Sequence, residues 1–265
     1  GGAMKKIPFA LLACACALAV SMQAAHAQTY PDKPVRLIVP WPPGGITDVI
    51  ARAIGQRLSE TLGQQFIVDN RAGAGGTVGA AAVAKSPADG YTLLINDMGG
   101  HSSAPSLYSK LPYDTLKDFV NLALLGGGPN VMITAPDSGL KNLADFVNAA
   151  KANPGKLNFA SAGVGSGGHM SGELFRMMAG INITHVPHRG AAAASIDVAA
   201  GNCAAGVCID FYGRQQEEAV RRRSAANRLG YVAPEGGTVA SVDPIALLRG
   251  APHRAAATAF IEYTL

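Results

Sequence analysis

Val35-Arg36-Leu37-Ile38-Val39-Pro40-Trp41-Pro42-Pro43-Gly44-Gly45-Ile46-Thr47-Asp48 runs directly from a β-branched segment, through a Pro- and Gly-rich break, into a helix start. Val35 to Val39 has the short apolar pattern of a buried strand, and the prolines and glycines that follow cannot continue it. Thr47 or Asp48 can cap a helix whose apolar positions Ile50, Ile54 and Leu58 carry it to Leu62. Phe66-Ile67-Val68 then supplies a second strand, and a strand–helix–strand order calls for parallel pairing.

The same alternation extends toward the C-terminus. The Gly-rich turn Arg71-Ala72-Gly73-Ala74-Gly75-Gly76 opens a small-residue helix, and Tyr91 to Ile95 reads as a third strand. Composition shifts at Gly126-Gly127-Gly128-Pro129, where a linker is expected. A second series follows: a strand at Val131-Met132-Ile133, a helix from Leu143 to Ala152 stopped by Asn153-Pro154-Gly155, and a strand at Leu157 to Ala160. The loop Ser161 to Gly168 then opens a helix from His169 to Ala179, and strands are expected at Ile183 to Val186 and Ala205 to Ile209. The prediction is an α/β protein of two βα lobes, with Gly-rich loops at the carboxyl ends of strands facing a shared ligand crevice.

The N-terminus sets the compartment. Lys5 and Lys6 precede an apolar run from Ile7 to Val20, and the small-residue tripeptide Ala25-His26-Ala27 follows. That order reads as a secretory signal peptide over residues 1–27, with Gly1-Gly2-Ala3 as extra residues ahead of Met4. The apolar run is shorter than the roughly 20 residues a spanning helix needs. Leu11-Leu12-Ala13-Cys14 loosely resembles a lipobox, so lipid anchoring at Cys14 stays open beside release into the periplasm. The formal net charge of +4 falls by two when Lys5 and Lys6 leave, too small an excess to expect a nucleic-acid or membrane-surface partner. Arg221-Arg222-Arg223 reads as a solvated run. Cys203 and Cys208 read as one strand at odd spacing, hence on opposite faces, and are expected to be free core thiols.

Gly163-Val164-Gly165-Ser166-Gly167-Gly168 contains G-x-G-x-x-G between a strand and a helix. The acidic residue that should meet a ribose about 20 positions on is missing; that region holds His185, His188 and Arg189. No cofactor is therefore expected. The loop keeps its physical meaning without one, because glycines let the backbone come close and N–H groups at a helix start favour an anion such as a carboxylate. Pro42-Pro43-Gly44-Gly45 and Gly73-Ala74-Gly75-Gly76 have the same character, and each can equally be a tight turn with no ligand. The sequence carries no G-x-S-x-G, H-E-x-x-H or G-x-x-x-x-G-K, so it is not read as an enzyme. His185-Val186-Pro187-His188 offers two imidazoles, but no carboxylate or thiol is near in sequence. A strand histidine with a hydrogen-bonded ring is the simpler reading, and no metal is expected.

Val39-Pro40-Trp41-Pro42-Pro43-Gly44-Gly45-Ile46-Thr47-Asp48, Val68-Asp69-Asn70-Arg71-Ala72-Gly73-Ala74-Gly75-Gly76, Leu111-Pro112-Tyr113-Asp114, Asn153-Pro154-Gly155-Lys156-Leu157 and His185-Val186-Pro187-His188-Arg189-Gly190 together resemble the Bug, or TctC-like, receptors of tripartite tricarboxylate transporters. The resemblance runs from about Tyr30 to Ala194. It implies a type II periplasmic-binding fold, a small carboxylate as ligand, and delivery to the integral membrane subunits of the transporter. It also places binding positions at Pro42, Pro43, Gly44, Gly45, Thr47 and Asp48 in one lobe and at Ser161, Gly163, Gly165 and Ser166 in the other. The family's H-V-P-Y-K-G motif has His188 and Arg189 in place of Tyr and Lys here, which bears on ligand range.

From about Ser195 the chain is more similar to ABC-transporter solute-binding proteins of the iron and polyamine type, through Asp197-Val198-Ala199-Ala200-Gly201-Asn202, Ile209 to Arg214, Pro234 to Thr238 and Asp243 to Pro252. It is read as a join of two receptors of like fold, truncated at Leu265. Asp210 is a candidate ligand residue, or equally a helix cap. The resulting organisation is lobe 1 over 28–128, lobe 2 over 129–234 and a return segment to lobe 1 over 235–265, expected to act as a monomer. An ABC-type receptor for iron or a cationic solute, or an exported enzyme, are the alternatives.

Overall fold

The computed structural model describes residues 30–97, 99–209, 230–232 and 240–248. The expected signal peptide with Cys14, the candidate Asp210, Arg221-Arg222-Arg223 and the Pro234 to Thr238 stretch lie outside the described residues.

In the first lobe β1 (Val35–Val39) lies between β2 (Phe66–Asn70) and β3 (Thr92–Ile95), parallel to both. Four of its five residues are buried, as a strand covered on both faces requires. Helix α1 (Ile46–Leu62) joins β1 to β2 and packs Ala51 and Leu58 on one face of the sheet, against Val35, Leu37 and Val39. Helix α2 (Thr77–Ala84) covers the other face, where Ala80 and Val83 meet Ile38 and Leu94. The odd and even positions of β1 thus feed two cores, the direct result of the strand's two-residue period. A short helix α3 (Ala104–Leu107) precedes β4.

Gly126-Gly127-Gly128-Pro129 is not a loop. It lies inside β4 (Phe119–Thr134), a 16-residue strand. Gly126 to Pro129 pair there, antiparallel, with Asp243 to Ala240 of a late strand. The partner comes from more than a hundred residues away, so no local pattern could announce it.

The C-terminal half of β4 belongs to the second lobe. Helix α4 (Leu143–Ala152) starts at Asn142, whose side chain accepts from Asp145 N at 2.8 Å. Strand β5 (Asn158–Ser161), helix α5 (Gly167–Ala179), strand β6 (Thr184–Pro187), helix α6 (Ala191–Ala199) and strand β7 (Ala205–Ile209) follow. Strand β8 (Gly230–Val232) pairs with β4, and β9 (Ala240–Leu248) sits between β3 and β4. The order is therefore β2-β1-β3-β9-β4 on one side and β4-β7-β5-β6 on the other, a mixed sheet in two lobes with β4 shared. Met132, Phe146, Phe159, Ile183 and Val207 form the core on one face of the second lobe, and Val131, Ile133, Ala194, Val198, Cys203 and Cys208 that on the other.

The cysteines need one correction. Cys203 precedes β7 rather than lying in it, so the odd-spacing argument does not apply and both thiols join a single cluster. Both are buried, and no disulfide joins them. No helix among the described residues is long and apolar enough to cross a membrane.

Candidate functional site

A crevice opens between the lobes, lined by residues of both. Three helix N-termini converge on it. Gly45, Ile46 and Thr47 come from the start of α1, Gly167 and Gly168 from the start of α5, and Gly190, Ala191 and Ala192 from the start of α6. Gly45 and Gly190 are the N-caps of α1 and α6, and neither helix has a side-chain cap. The positive ends of three helices thus face one space. The charged side chains in the lining are Asp97 and Arg189. Trp41 also lines it, and its buried Nε1–H has no hydrogen-bond partner among the described residues.

The expected helix start moves by a residue or two. Thr47 and Asp48 are not caps; they lie within the first turn of α1, behind Gly45. Pro42, Pro43, Gly44, Gly45 and Thr47 line the crevice, and Asp48 does not. Asp48 is 3 % exposed and holds the loop from behind. Its Oδ2 accepts from Gly44 N at 2.9 Å and from Arg52 Nε at 3.0 Å, while its Oδ1 accepts from Asn70 Nδ2 at 2.9 Å. Asn70 Nδ2 also reaches Trp41 O at 3.1 Å. Burial alone would raise the Asp48 carboxyl, but the hydrogen bonds from Arg52, Gly44 and Asn70 outweigh it and hold the group below the ordinary carboxylate range.

In the second lobe Ser166 lines the crevice and caps α5 by accepting from His169 N at 3.2 Å. Ser161, Gly163 and Gly165 do not line it. Ser161 is fully buried, and its Oγ is 2.7 Å from His185 Nε2. Gly165 N donates to His169 Nδ1 at 3.1 Å, so the N–H expected to meet a ligand is used inside the protein. The His169 and His185 rings stack with centroids 4.0 Å apart. Burial, followed by the neighbouring His169, pushes His185 down to about 4, and burial also lowers His169. This network is therefore neutral at neutral pH.

The third Gly-rich loop is a contact between lobes. Gly75 has φ 62°, and a Cβ there would sit 2.3 Å from the Val164 carbonyl oxygen of the other lobe. Gly190 likewise abuts Pro42, 3.3 Å from where its Cβ would be. Gly168 is set against β7 so closely that a Cβ would meet Val207 O at 2.2 Å. Not named as binding positions from the sequence were Trp41, Ile46, Asp97, Ala162, Gly167, Gly168, Gly190, Ala191, Ala192, Val207 and Cys208, while Arg189 was noted only as a departure. The usable signal was Gly167-Gly168 itself: a helix that begins on two glycines is built for close approach.

Comparison with known proteins gives the geometry a context. Residues 50–215, more than half of the chain, match the model of the tripartite tricarboxylate transporter family receptor. The chain belongs to that family. A protein encoded in the tcbD-tcbE intergenic region of Pseudomonas sp. strain P51 is 39% identical over 213 residues, covering 79% of this chain and 62% of the relative. Protein BugT of Bordetella pertussis is 43% identical over 186 residues, 68% of this chain and 56% of the relative. The chain thus spans less than two thirds of these relatives' lengths. Among solved structures, an R. palustris protein solved with adipate superposes with a TM-score of 0.77 at 30% identity, covering 89% of this chain and 82% of the other. MatC from Rhodopseudomonas palustris, with bound malate, gives 0.74 at 27% identity over 89% and 85%. The two-lobed periplasmic-binding fold is that of this TctC group, and the family match extends to residue 215.

Proposed function

We propose that this chain is an extracytoplasmic solute-binding receptor that captures a small di- or tricarboxylate between its lobes and delivers it to the integral membrane subunits of a tripartite transporter. The observation that carries the proposal is the convergence of the α1, α5 and α6 N-termini on one crevice. Each helix start contributes oriented N–H groups and about half a positive charge, enough to hold a carboxylate without a dedicated cation. Arg189, in the lining of the crevice, can meet a second carboxylate, which a guanidinium binds bidentately. The likeness to proteins solved with adipate and malate supports the same ligand class.

Binding to the folded state alone raises its stability, by about 2.7 kcal/mol at a hundredfold excess over Kd. Thermal unfolding of the purified chain with adipate, malate, citrate, aromatic acids, amino acids and ferric citrate tests the proposal. One or more di- or tricarboxylates should raise the transition, and Arg189→Gln should weaken them more than it weakens a monocarboxylate. A shift with ferric or cationic solutes only would replace this reading by the ABC-type one. Turnover of any panel member would replace it by an enzyme.

A further inference from the structure

His188, Asp197 and Cys203 match no metal motif in sequence, yet the fold brings them together. His188 follows β6, Asp197 is in the last turns of α6, and Cys203 lies on the approach to β7. One ligand atom from each lies within 4.8 Å of the others. The cluster is outside the crevice lining, entirely in the second lobe. The nearby His185 is not part of it, because its ring is engaged with Ser161.

The hydrogen bonding of His188 is the second observation. Its Nδ1 lies 3.0 Å from Val186 O and its Nε2 lies 2.6 Å from Asp197 Oδ2. A neutral imidazole has one N–H, so two oxygen acceptors are one more than it can serve. With Nδ1–H given to the carbonyl, the Nε2 lone pair faces the carboxylate, and this pair of acceptors can be served by a second proton or, once the gap opens, by a cation. A backbone carbonyl on Nδ1–H is also how metal-binding histidines are oriented to present Nε2. Asp197 is held in the same fashion, its Oδ1 accepting from Asn202 Nδ2 at 3.1 Å. Asn202 N and Cys203 N both donate to the Asp197 carbonyl, at 2.9 and 3.3 Å, which ties the cysteine to the same turn. The thiol-bearing residue is 3 % exposed, whereas the Asp197 side chain is 37 % exposed and the His188 side chain 12 %.

We propose that His188 Nε2, Asp197 Oδ2 and Cys203 Sγ form a resident site for a borderline divalent cation, Zn²⁺ being the best fit. One nitrogen, one oxygen and one sulfur ligand match zinc's range, and three protein ligands leave a fourth, tetrahedral position for water. Metal–ligand bonds of about 2.0–2.3 Å require the His188–Asp197 gap to open to roughly 3.3 Å, a movement the exposed carboxylate can make. As the zinc–sulfur bond forms, the Cys203 thiol gives its proton to solvent, so binding tightens as pH rises. The site adjoins Arg189 and Gly190, which line the crevice. Its structural effect is to fix that corner of the wall against Pro42, whichever solute occupies the crevice.

The full chain, stripped with a chelator, is titrated with Zn²⁺ by calorimetry and with Co²⁺ by visible absorption. One equivalent per chain is expected, with a thiolate-to-cobalt charge-transfer band. Cys203→Ser should remove the band, and His188→Gln should weaken binding by about tenfold or more. Zn²⁺ should also slow alkylation of Cys203 in the unmutated chain, followed by mass spectrometry, a readout that holds even if a variant fails to fold. No binding, a band that survives Cys203→Ser, or Cys203 alkylation unaffected by Zn²⁺ would each overturn the proposal.

Discussion

The loop from β1 to α1 and the loop from β5 to α5 do the same job with opposite chemistry. Both leave a parallel strand, turn on glycines and deliver a helix start to the crevice. The first is braced by charge: Asp48 receives hydrogen bonds from Gly44, Arg52 and Asn70. The second is braced by neutral groups, Ser161, Ser166, His169 and His185, joined by hydrogen bonds and ring stacking. A carboxylate in the first brace can be afforded because it sits behind the loop, where Arg52 offsets it. The second brace keeps its imidazoles uncharged, which leaves the helix dipole as the source of positive potential there. The comparison teaches that a crevice wall lined by a helix N-terminus can be buttressed by an anion, provided that its charge is neutralised on the side away from the crevice.

The largest expected effect separates the loops by space. Gly168→Ala drives a Cβ into Val207 O, so the second lobe should lose its native packing and ligand binding together. Gly44→Ala meets nothing within 4 Å and should fold, with about 1–2 kcal/mol lost to its positive φ. Circular dichroism melting of both variants decides, and equal losses would break the contrast. Next comes Asp48→Asn, which keeps the shape and removes the charge. It should cost about 1–3 kcal/mol in stability and weaken ligand affinity, since Gly44 is no longer held; unchanged urea midpoints would show the ionic brace to be idle. Ser166→Ala removes the α5 cap and should cost about 1 kcal/mol, measured in the same way.

The smallest effect is in pH dependence. A His185 held at about 4 in the folded chain refuses a proton that the unfolded chain accepts below its ordinary 6.5. Its contribution to stability is therefore complete above about 6.5 and is lost as pH falls toward 4. His169 and His101 shift in the same direction, while Glu173 opposes the shift at His185. Asp48 acts lower still: its contribution is present above the ordinary 3.8 and disappears only as pH falls below that, through its folded value. The second brace should thus weaken before the first. Urea midpoints at pH 7 and 5 should differ less in His185→Gln than in the parent chain; an equal difference would remove His185 from the account.

Much of the frame was legible in residues alone. Val35 to Val39, Leu143 to Ala152 and Ala205 to Ile209 emerge as elements at the predicted positions because period-2 and period-3.6 patterns are local properties. The resemblance to the receptor family named Pro42, Pro43, Gly44, Gly45, Thr47 and Ser166 as binding positions, and these six do line the crevice. The errors came where a distant segment decides. Gly126 to Pro129 form a strand because 240–243 supply the pairing. Asp48 and Gly165 are a different case: Arg52 and His169, each only four residues further on, engage them within the loop–helix junction, so local hydrogen bonding rather than a distant segment keeps them out of the lining.

The sequence by itself determined the alternation of strands and helices, the punctuation by glycine and proline, and the resemblance to carboxylate receptors. These follow from short-range sterics and from burial repeating along a strand or helix. Only the tertiary structure decided that three helix N-termini share one crevice, that Arg189 and Asp97 enter it, and that His188, Asp197 and Cys203 meet outside it. Such convergence is set by the non-local pairing of β4 with β7 and β9 and by the packing of the helices on the sheet, and no local window of residues contains it.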